Sequence, residues 1–143
     1  MAISPIPPGY HTVTPYFTVE GANAFLDFLK AAFGAEVTQR HDREDGGVAN
    51  AELRIGTSMI MASDARDPWK PMPMSTYLYV EDADAVYRAA LAAGAASLYE
   101  PTDMFYGDRS GGVRDAWGNV WWIGTHIEDV SDEELVKRMK EQA

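Results

Sequence analysis

The stretch TPYFTVEGANAFLDFLKAA, residues 14–32, aligns without gaps on STYLYVEDADAVYRAALAA, residues 75–93. The two copies are therefore offset by 61 positions. The most informative identities are Tyr16 with Tyr77, Val19 with Val80 and Glu20 with Glu81. Repetition at a fixed offset is typical of a chain that contains two copies of one structural unit.

Each copy begins with strand-like alternation and continues with helical spacing. In the first copy, apolar residues at i, i+3 and i+4 spacing predict one buried helix face: Ala22, Phe25, Leu26, Leu29 and Phe33. In the second copy, Asp82 is a natural N-cap and Val86, Tyr87 and Ala90 form the apolar stripe. Glycines follow both helices, at Gly34 and Gly94, as expected for helix ends.

Three strand-like runs follow each helix, so each half of the chain is predicted to be a βαβββ module. The runs are residues 36–41, 49–55 and 58–62, then 97–100, about 112–115, and 120–125. Residues 1–143 are interpreted as a single domain with modules at about 12–63 and 74–126. Segments 64–73 and 101–112 are rich in Pro, Gly and Asp and are predicted to be loops, the second able to fold over a ligand.

A final helix is predicted at about residues 131–141, since Ser131 and Glu134 have the spacing of a capping box. Its apolar residues are few, and we expect them to pack either on the body of the domain or on a neighbouring subunit.

The composition limits the classes of protein to which this chain can belong. The chain has 22 acidic and 12 basic residues, a net charge of -10, and no cysteine. Such charge disfavours nucleic acid and anionic membranes and slightly favours a cationic ligand, although solubility alone also explains it. No apolar run is long enough to cross a bilayer, and no secretory signal is recognisable. The sequence therefore predicts a cytoplasmic protein.

The junctions TVEGANAFLDF and YVEDADAVYRA and the closing turn DAWGNVWWI resemble the vicinal oxygen chelate superfamily, which includes glyoxalase I, bleomycin-resistance proteins and dioxygenases. TPYFTV, AELRIGTSMIMASD and YGDRSGGVRDAWGNVWWIGTHIEDVSDEEL resemble its PhnB-like branch more closely. The resemblance implies an α+β fold in which the two βαβββ modules form a curved mixed-sheet cup, usually within a homodimer.

In metal-dependent members of the superfamily, four ligands line the cup, typically His and Glu. The resemblance places the corresponding positions at Thr14, Met61, Ser75 and Trp122. Hydroxyl groups are weak ligands, thioethers prefer soft metals, and an indole does not coordinate. We therefore expect no metal and no cofactor at this place, which argues against glyoxalase or dioxygenase chemistry.

Alternation along the strands places further side chains beside these positions. Tyr16 and Tyr77 are expected to face the cup, and Trp122 is either core or a stacking surface, with Trp121 on the opposite face. Asn50, Glu52 and Arg54 share one strand face, which is either a solvated face with a Glu–Arg pair or part of the ligand site. The histidines, His11, His41 and His126, are expected in surface or capping roles.

These patterns favour a metal-independent protein that binds an aromatic or cationic small molecule. The alternative is a metal-dependent lyase, isomerase or dioxygenase with non-standard ligands, for which no catalytic residue is assigned, and a third is a dimer with a structural role. The expected partners are a small-molecule ligand and a second copy of the chain, without nucleic acid or membrane.

Overall fold

The computed structural model describes residues 2–142, which divide into two compact units with the boundary between Met74 and Ser75. The elements of the first unit are β1 (Tyr16–Val19), α1 (Ala22–Phe33), β2 (Glu36–Asp42), β3 (Val48–Ile55) and β4 (Ser58–Asp64). Those of the second are β5 (Ser75–Tyr79), α2 (Ala83–Ala92), β6 (Ala96–Asp103), β7 (Asp108–Arg114), β8 (Val120–His126) and α3 (Asp132–Gln142).

Each unit contains a four-stranded mixed sheet with the same topology. The strand orders are β1-β4-β3-β2 and β5-β8-β7-β6, and the first strand of each unit runs parallel to the last. Tyr16 is paired with Met61 in the first sheet, and Tyr77 with Trp122 in the second, so the 61-residue offset holds in the strand register. The predicted α+β fold with two βαβββ modules is confirmed.

The core of the first unit lies between α1 and one face of its sheet. Phe25 and Leu29 of the helix are fully buried, as are Phe17 and Leu53 of the strands, and the rings of Phe17 and Phe25 are 5.5 Å apart. Of the predicted stripe, Ala22, Phe25, Leu26 and Leu29 are buried, whereas Phe33 is only half-buried and Phe28 and Ala32 complete the buried face instead. Burying a large apolar side chain contributes about 1.5 to 3 kcal/mol, which explains why packing rather than propensity fixes this helix.

The second unit is built in the same way around Trp121. This residue is 1 % exposed and lies on the helix side of β8 with Ile123, close to Val113 of β7. Tyr87 of α2 is buried too, and its hydroxyl is 2.5 Å from that of Ser97, so the ring packs in the core while its polar group stays hydrogen-bonded.

The first amide of each helix is capped by the last strand of its own unit. The backbone N–H of Ala22 donates to Asp64 Oδ1 at 2.8 Å, and that of Ala83 donates to Thr125 Oγ1 at 2.9 Å. Both donors and both acceptors are related by the 61-residue offset. The free N–H groups at a helix start need such acceptors, so strand and helix are joined by the same device in both units.

The prediction that residues 101–112 form a loop is wrong. Residues up to Asp103 belong to β6 and residues from Asp108 belong to β7, which leaves only a short turn between the two strands. Pro101 is compatible with a strand here because β6 is at the edge of its sheet and its register shifts between Tyr99 and Thr102. No long segment is therefore left at this point to fold over a ligand.

The predicted C-terminal helix is confirmed as α3. Ser131 Oγ accepts the backbone N–H of Glu134 at 3.2 Å, as the capping pattern predicts, and no residue of this helix is buried. Arg138 holds the helix by donating to the Phe105 carbonyl at 3.0 Å and to both carboxylate oxygens of Glu128. Within residues 2–142, no helix has the length and apolar character that crossing a membrane requires.

Candidate functional site on the aromatic face of the second unit

The candidate site is the face of the second sheet that points away from α2. Side chains alternate along β5 and β8, so this face carries Ser75, Tyr77 and Tyr79 from one strand and Trp122, Gly124 and His126 from the other. We call it the aromatic face and include Tyr99, which lies across from Trp122 over β7. Tyr77 is 38 % exposed and Tyr79 is 67 % exposed, so much of the face is accessible.

Two glycines allow the rings to lie directly on the sheet. A methyl group added to Gly124 would be 2.5 Å from the Tyr77 hydroxyl, and one added to Gly112 would be 2.9 Å from Tyr99 and 3.1 Å from Trp122. Any larger residue at either position would push a ring away. The Tyr99 and Trp122 rings are 6.1 Å apart and tilted by 34°, a favourable aromatic arrangement.

The orientation of Trp122 is fixed by a hydrogen bond. Its Nε1–H donates to Ser75 Oγ at 2.8 Å, and the side chain is half-buried. Trp121 is fully buried on the opposite side of the strand, as strand alternation predicts for two adjacent residues. The pair therefore divides into one core residue and one residue of the aromatic face.

A buried carboxylate lies under the tyrosines. Asp108 is 3 % exposed, and its Oδ2 accepts from the Tyr77 hydroxyl at 2.7 Å and the Tyr79 hydroxyl at 2.9 Å. Its Oδ1 is 2.9 Å from His126 Nδ1. Burial opposes ionisation, but the hydrogen bonds from His126, Tyr77 and Tyr79 outweigh it and hold the pKa of Asp108 below its usual range. The face therefore contains a fixed negative charge at neutral pH.

The hydrogen bonds to Asp108 also change the pKa values of the two tyrosines that donate them. Burial, followed by the hydrogen bond to Asp108, raises the pKa of the Tyr77 hydroxyl, and the bond to Asp108 raises the pKa of Tyr79 as well. Both phenols keep their protons at neutral pH. Their oxygens point towards the carboxylate, so they stabilise its charge and are not bases for a substrate.

His126 connects Asp108 to the surface. Its Nδ1 contacts Asp108, and its Nε2 is 2.7 Å from Asp129 Oδ1. Hydrogen bonds to Asp129 and Asp108 raise the pKa of His126 above its ordinary value. Both ring nitrogens are already engaged, so this histidine positions and balances the carboxylate and offers no free nitrogen to a ligand.

Sequence reasoning missed Asp108 and the role of His126. His126 was expected at the surface or in a cap, and Asp108 fell in the segment assigned to a loop. Alternation from Trp122 through Gly124 to His126 was a usable signal, because it places the imidazole on the same face as the indole. No local pattern indicates Asp108, whose partners are 18 to 31 residues away.

A polar turn sets the position of β8. Asp115 is 5 % exposed and accepts four hydrogen bonds, all at 2.9 Å: from the backbone N–H groups of Trp117 and Asn119, from Asn119 Nδ2 and from Trp121 Nε1. The closing DAWGN turn is therefore organised around one carboxylate. It fixes where Trp121 enters the core and consequently which face Trp122 occupies.

The structure brings together several predicted site residues in the first unit. Met61 is paired with Tyr16 on one side and Glu52 on the other, and Asn50 Nδ2 is 3.4 Å from the Tyr16 hydroxyl. Glu52 accepts a hydrogen bond from the Tyr10 hydroxyl; burial and this bond raise the pKa of Tyr10 to about 12. These side chains share the face of the sheet opposite the buried Leu53.

Two other predicted site residues, Arg54 and Thr14, lie apart from this group of side chains. Arg54 is exposed and pairs with Glu36 at 3.5 Å instead of with Glu52. Thr14 lies two residues before β1, which begins at Tyr16, although the backbone nearby is tied to β4 by a bond from Met61 N–H to the Pro15 carbonyl at 2.9 Å.

Comparison with known proteins identifies the family. The model of the glyoxalase/bleomycin resistance protein/dioxygenase superfamily matches residues 10–123, most of both units. The chain belongs to this superfamily. An uncharacterised protein of Mycobacterium bovis is 31 % identical over 141 residues, covering 91 % of this chain and 93 % of that protein.

Solved structures of several proteins share the fold. TioX from Micromonospora sp. ML1 has a TM-score of 0.66 at 22 % identity and covers 80 % of this chain and 99 % of its own. A PhnB protein from Bacillus cereus has a TM-score of 0.65 at 21 % identity, with the same coverage of both chains. At this level of identity the likeness concerns the fold alone, so function must be argued from the side chains of this superfamily member.

The side chains at the four expected positions show whether this chain can bind the metal of the metal-dependent superfamily members. Of Thr14, Met61, Ser75 and Trp122, none carries an imidazole or carboxylate. In the second unit, the Trp122 indole donates its only N–H to the Ser75 hydroxyl, so the two side chains satisfy each other. This donor set does not fit a divalent cation.

Proposed function

We propose that this superfamily member is a metal-independent binding protein that takes a planar, cationic small molecule onto the aromatic face. The observation that carries the proposal is the juxtaposition of ring surfaces with an ionised carboxylate beneath them. Trp122 and Tyr99 lie over Gly112, and Tyr77 lies over Gly124 with its hydroxyl on Asp108. Aromatic faces attract cations by about 0.5 to 2 kcal/mol, and a nearby negative charge adds to that attraction.

The charge distribution supports a cation over an anion. Residues 75–143 contain thirteen acidic and six basic side chains, so the second unit carries most of the net charge of -10. Within residues 2–142, the titratable cation in contact with Asp108 on the aromatic face is His126. A cationic ligand is therefore expected to bind better once His126 has lost its proton, above the raised pKa of that imidazole.

The alternative is a metal-dependent lyase, isomerase or dioxygenase whose ligands come from unusual positions. Such an enzyme needs several imidazole or carboxylate groups converging on one point. Among the residues that the structure describes, no three His, Cys, Asp or Glu side chains form such a group. Asp108, His126 and Asp129 are close together, but the two carboxylates lie at opposite nitrogens of the imidazole ring.

A matched pair of probes tests the proposal. Quinoline is neutral at pH 7.5, and 1-methylquinolinium has almost the same shape with a permanent positive charge. Isothermal titration calorimetry should show tighter binding of the cation, by roughly 2- to 30-fold, the range that a cation–aromatic contact supplies. Equal affinities for the two probes would contradict the proposed role of charge.

Matched tryptophan variants then locate the site. Trp122→Ala should weaken binding of 1-methylquinolinium by tens of fold while the chain stays folded, because it removes the stacking surface. Trp121→Ala should chiefly destabilise the fold, by about 3 to 5 kcal/mol, since it leaves a cavity in the core. Trp69→Ala, in the first unit, should leave binding of the cation unchanged. If Trp122→Ala has no effect on affinity, the aromatic face is not the site.

A further inference from the structure

A cavity of about 350 Å³ lies in the first unit at the ends of β1 and β4. The lining includes Tyr16, Thr18, Arg43, Ser63, Asp64, Arg66 and Trp69. Only Tyr16 among them was predicted from the sequence as a site residue. All of them precede the boundary at Met74, so the cavity is complete within one unit.

The cavity is lined by two arginines that lack a carboxylate partner. Within residues 2–142, neither Arg43 nor Arg66 forms a salt bridge; Arg43 Nη2 donates only to the Asp64 carbonyl at 2.7 Å, and its Nε is buried without a hydrogen bond. Most other arginines of the described chain are paired with acidic side chains. Two unpaired guanidinium groups in a chain of net charge -10 form a local positive site.

Asp64, the acidic residue in the cavity lining, already accepts hydrogen bonds from backbone N–H groups. Its Oδ1 accepts from the N–H groups of Gly21 and Ala22 at 3.1 and 2.8 Å, and its Oδ2 accepts from Val48 N–H at 2.7 Å. The carboxylate is therefore directed at the helix start and the β3 backbone. It leaves the guanidinium groups available to a ligand.

A serine hydroxyl in the cavity lining adds a neutral donor. Ser63 is 7 % exposed and lines the cavity, and its side chain has no hydrogen-bond partner in the described part of the chain. It is paired with Thr18 on the neighbouring strand, so two hydroxyl groups lie side by side. This hydroxyl offers one donor to a ligand oxygen in the cavity.

The mouth of the cavity carries aromatic surface. Trp69 is 66 % exposed and Tyr16 is 45 % exposed. The segment that carries Trp69 is held in place by hydrogen bonds from Arg66 N–H to the Trp69 carbonyl at 2.9 Å and from Met72 N–H to the Thr18 carbonyl at 3.1 Å. Trp69 and Arg66 are therefore positioned by backbone contacts at the entrance.

We propose that this cavity binds a small aromatic carboxylate. The carboxylate accepts hydrogen bonds from the arginines and from Ser63, and the ring lies against Trp69 and Tyr16. Guanidinium groups suit planar carboxylates, and an aromatic ring matches the indole better than a hydrated inorganic anion does. The cavity belongs to the first unit and the aromatic face to the second, and the two have opposite charge preferences.

The test compares 2-naphthoate with neutral 2-naphthamide by isothermal titration calorimetry at pH 7.5. Naphthoate should bind at least about tenfold more tightly, because charge-assisted hydrogen bonds are stronger than neutral ones. Arg66→Gln should weaken naphthoate binding about tenfold, and Ser63→Ala should weaken it by a smaller factor. Arg66 is exposed, so its replacement should leave the circular dichroism spectrum unchanged.

Controls separate this proposal from the preceding one. Arg114→Gln, a change at an exposed arginine of β7, and Trp122→Ala should both leave naphthoate affinity unchanged. The effect of Trp122→Ala on 1-methylquinolinium binding tests the aromatic face and does not test the carboxylate site. The carboxylate site is refuted by absence of naphthoate binding at millimolar concentration, by equal affinity for naphthamide, or by an equal effect of Arg66→Gln and Arg114→Gln. Binding of inorganic phosphate as tight as that of naphthoate would refute the aromatic component.

Discussion

Replacing Asp108 with asparagine tests the electrostatic centre of the aromatic face with little change in shape. The aspartate is 3 % exposed and accepts hydrogen bonds from Tyr77, Tyr79 and His126. Asparagine has one acceptor oxygen and no charge. Its oxygen can keep the two tyrosine bonds as neutral ones, while its amide group faces His126 as a donor.

The expected loss of stability follows from those three bonds. Hydrogen bonds to a charged group contribute about 1.5 to 3 kcal/mol and neutral ones about 0.5 to 1.5, so each tyrosine bond loses roughly 1 kcal/mol. The bond from His126 is lost, because the amide group that replaces its acceptor is itself a donor. Removing the charge also relieves the cost of burying it, which offsets part of the loss. We expect Asp108→Asn to lower the free energy of unfolding by about 2 kcal/mol near pH 6.

The loss should depend on pH in a defined direction. The pKa of His126 is raised above its usual 6.5, so its stabilising contribution is fully present below that value and is lost as pH rises through the folded-state pKa. The pKa of Asp108 is lowered from 3.8, so its contribution is present above that value and is lost as pH falls through the folded-state pKa. The difference between wild type and variant should therefore be larger near pH 5.5 than near pH 8.5.

Urea denaturation followed by circular dichroism at pH 5.5, 7 and 8.5 measures this difference. Tyr79→Phe is the matched control, since it removes one donor and leaves the carboxylate charged. It should cost less than Asp108→Asn and keep the pH dependence of the wild type. A difference between wild type and Asp108→Asn that is the same at all three pH values would refute the coupling of Asp108 to His126.

Three further predictions concern the turn, the metal and the assembly. Asp115→Ala should lower the free energy of unfolding by about 3 to 5 kcal/mol, because four donors lose their acceptor. Asp115→Asn should lower it by less. Thermal denaturation that shows no difference between the two variants would contradict this prediction. Elemental analysis of protein purified without chelator should find no stoichiometric divalent metal, and an ion held between Thr14, Met61, Ser75 and Trp122 would refute our assessment of that donor set. The homodimer stays a prediction, resting on open strand edges and exposed residues such as Trp69; light scattering that shows only monomer at micromolar concentration would refute it.

The fold could be predicted because its signals are local or repeated. Helix spacing, the Asp82 and Ser131 caps and the glycine at position 34 depend on residues a few positions apart, and the structure has them where the patterns indicate. The error at residues 101–112 has a physical origin. Proline and glycine usually interrupt strands, but Pro101 is tolerated at a sheet edge, and Gly112 is needed where a ring packs on the backbone.

The candidate sites were less predictable, because their contacts join distant parts of the chain. Alternation correctly separated Trp121 from Trp122, since neighbours in a strand point to opposite faces. It could not show that Asp108 is the shared acceptor of two tyrosines, or that Arg43 and Arg66 line one cavity while Asp64 is engaged elsewhere. Such facts depend on the register between strands and on which polar groups have already found partners.

The helix caps supplied by the last strands have a consequence for synthesis on the ribosome. Each cap joins residues 42 positions apart, and in each sheet the first strand lies at the edge beside the last one. A nascent chain that has not yet reached Asp64 has neither a neighbour for β1 nor an acceptor for the first amide of α1. The first strand and helix of each unit must therefore wait for the final strand, so each unit completes its folding only after the whole of it has emerged.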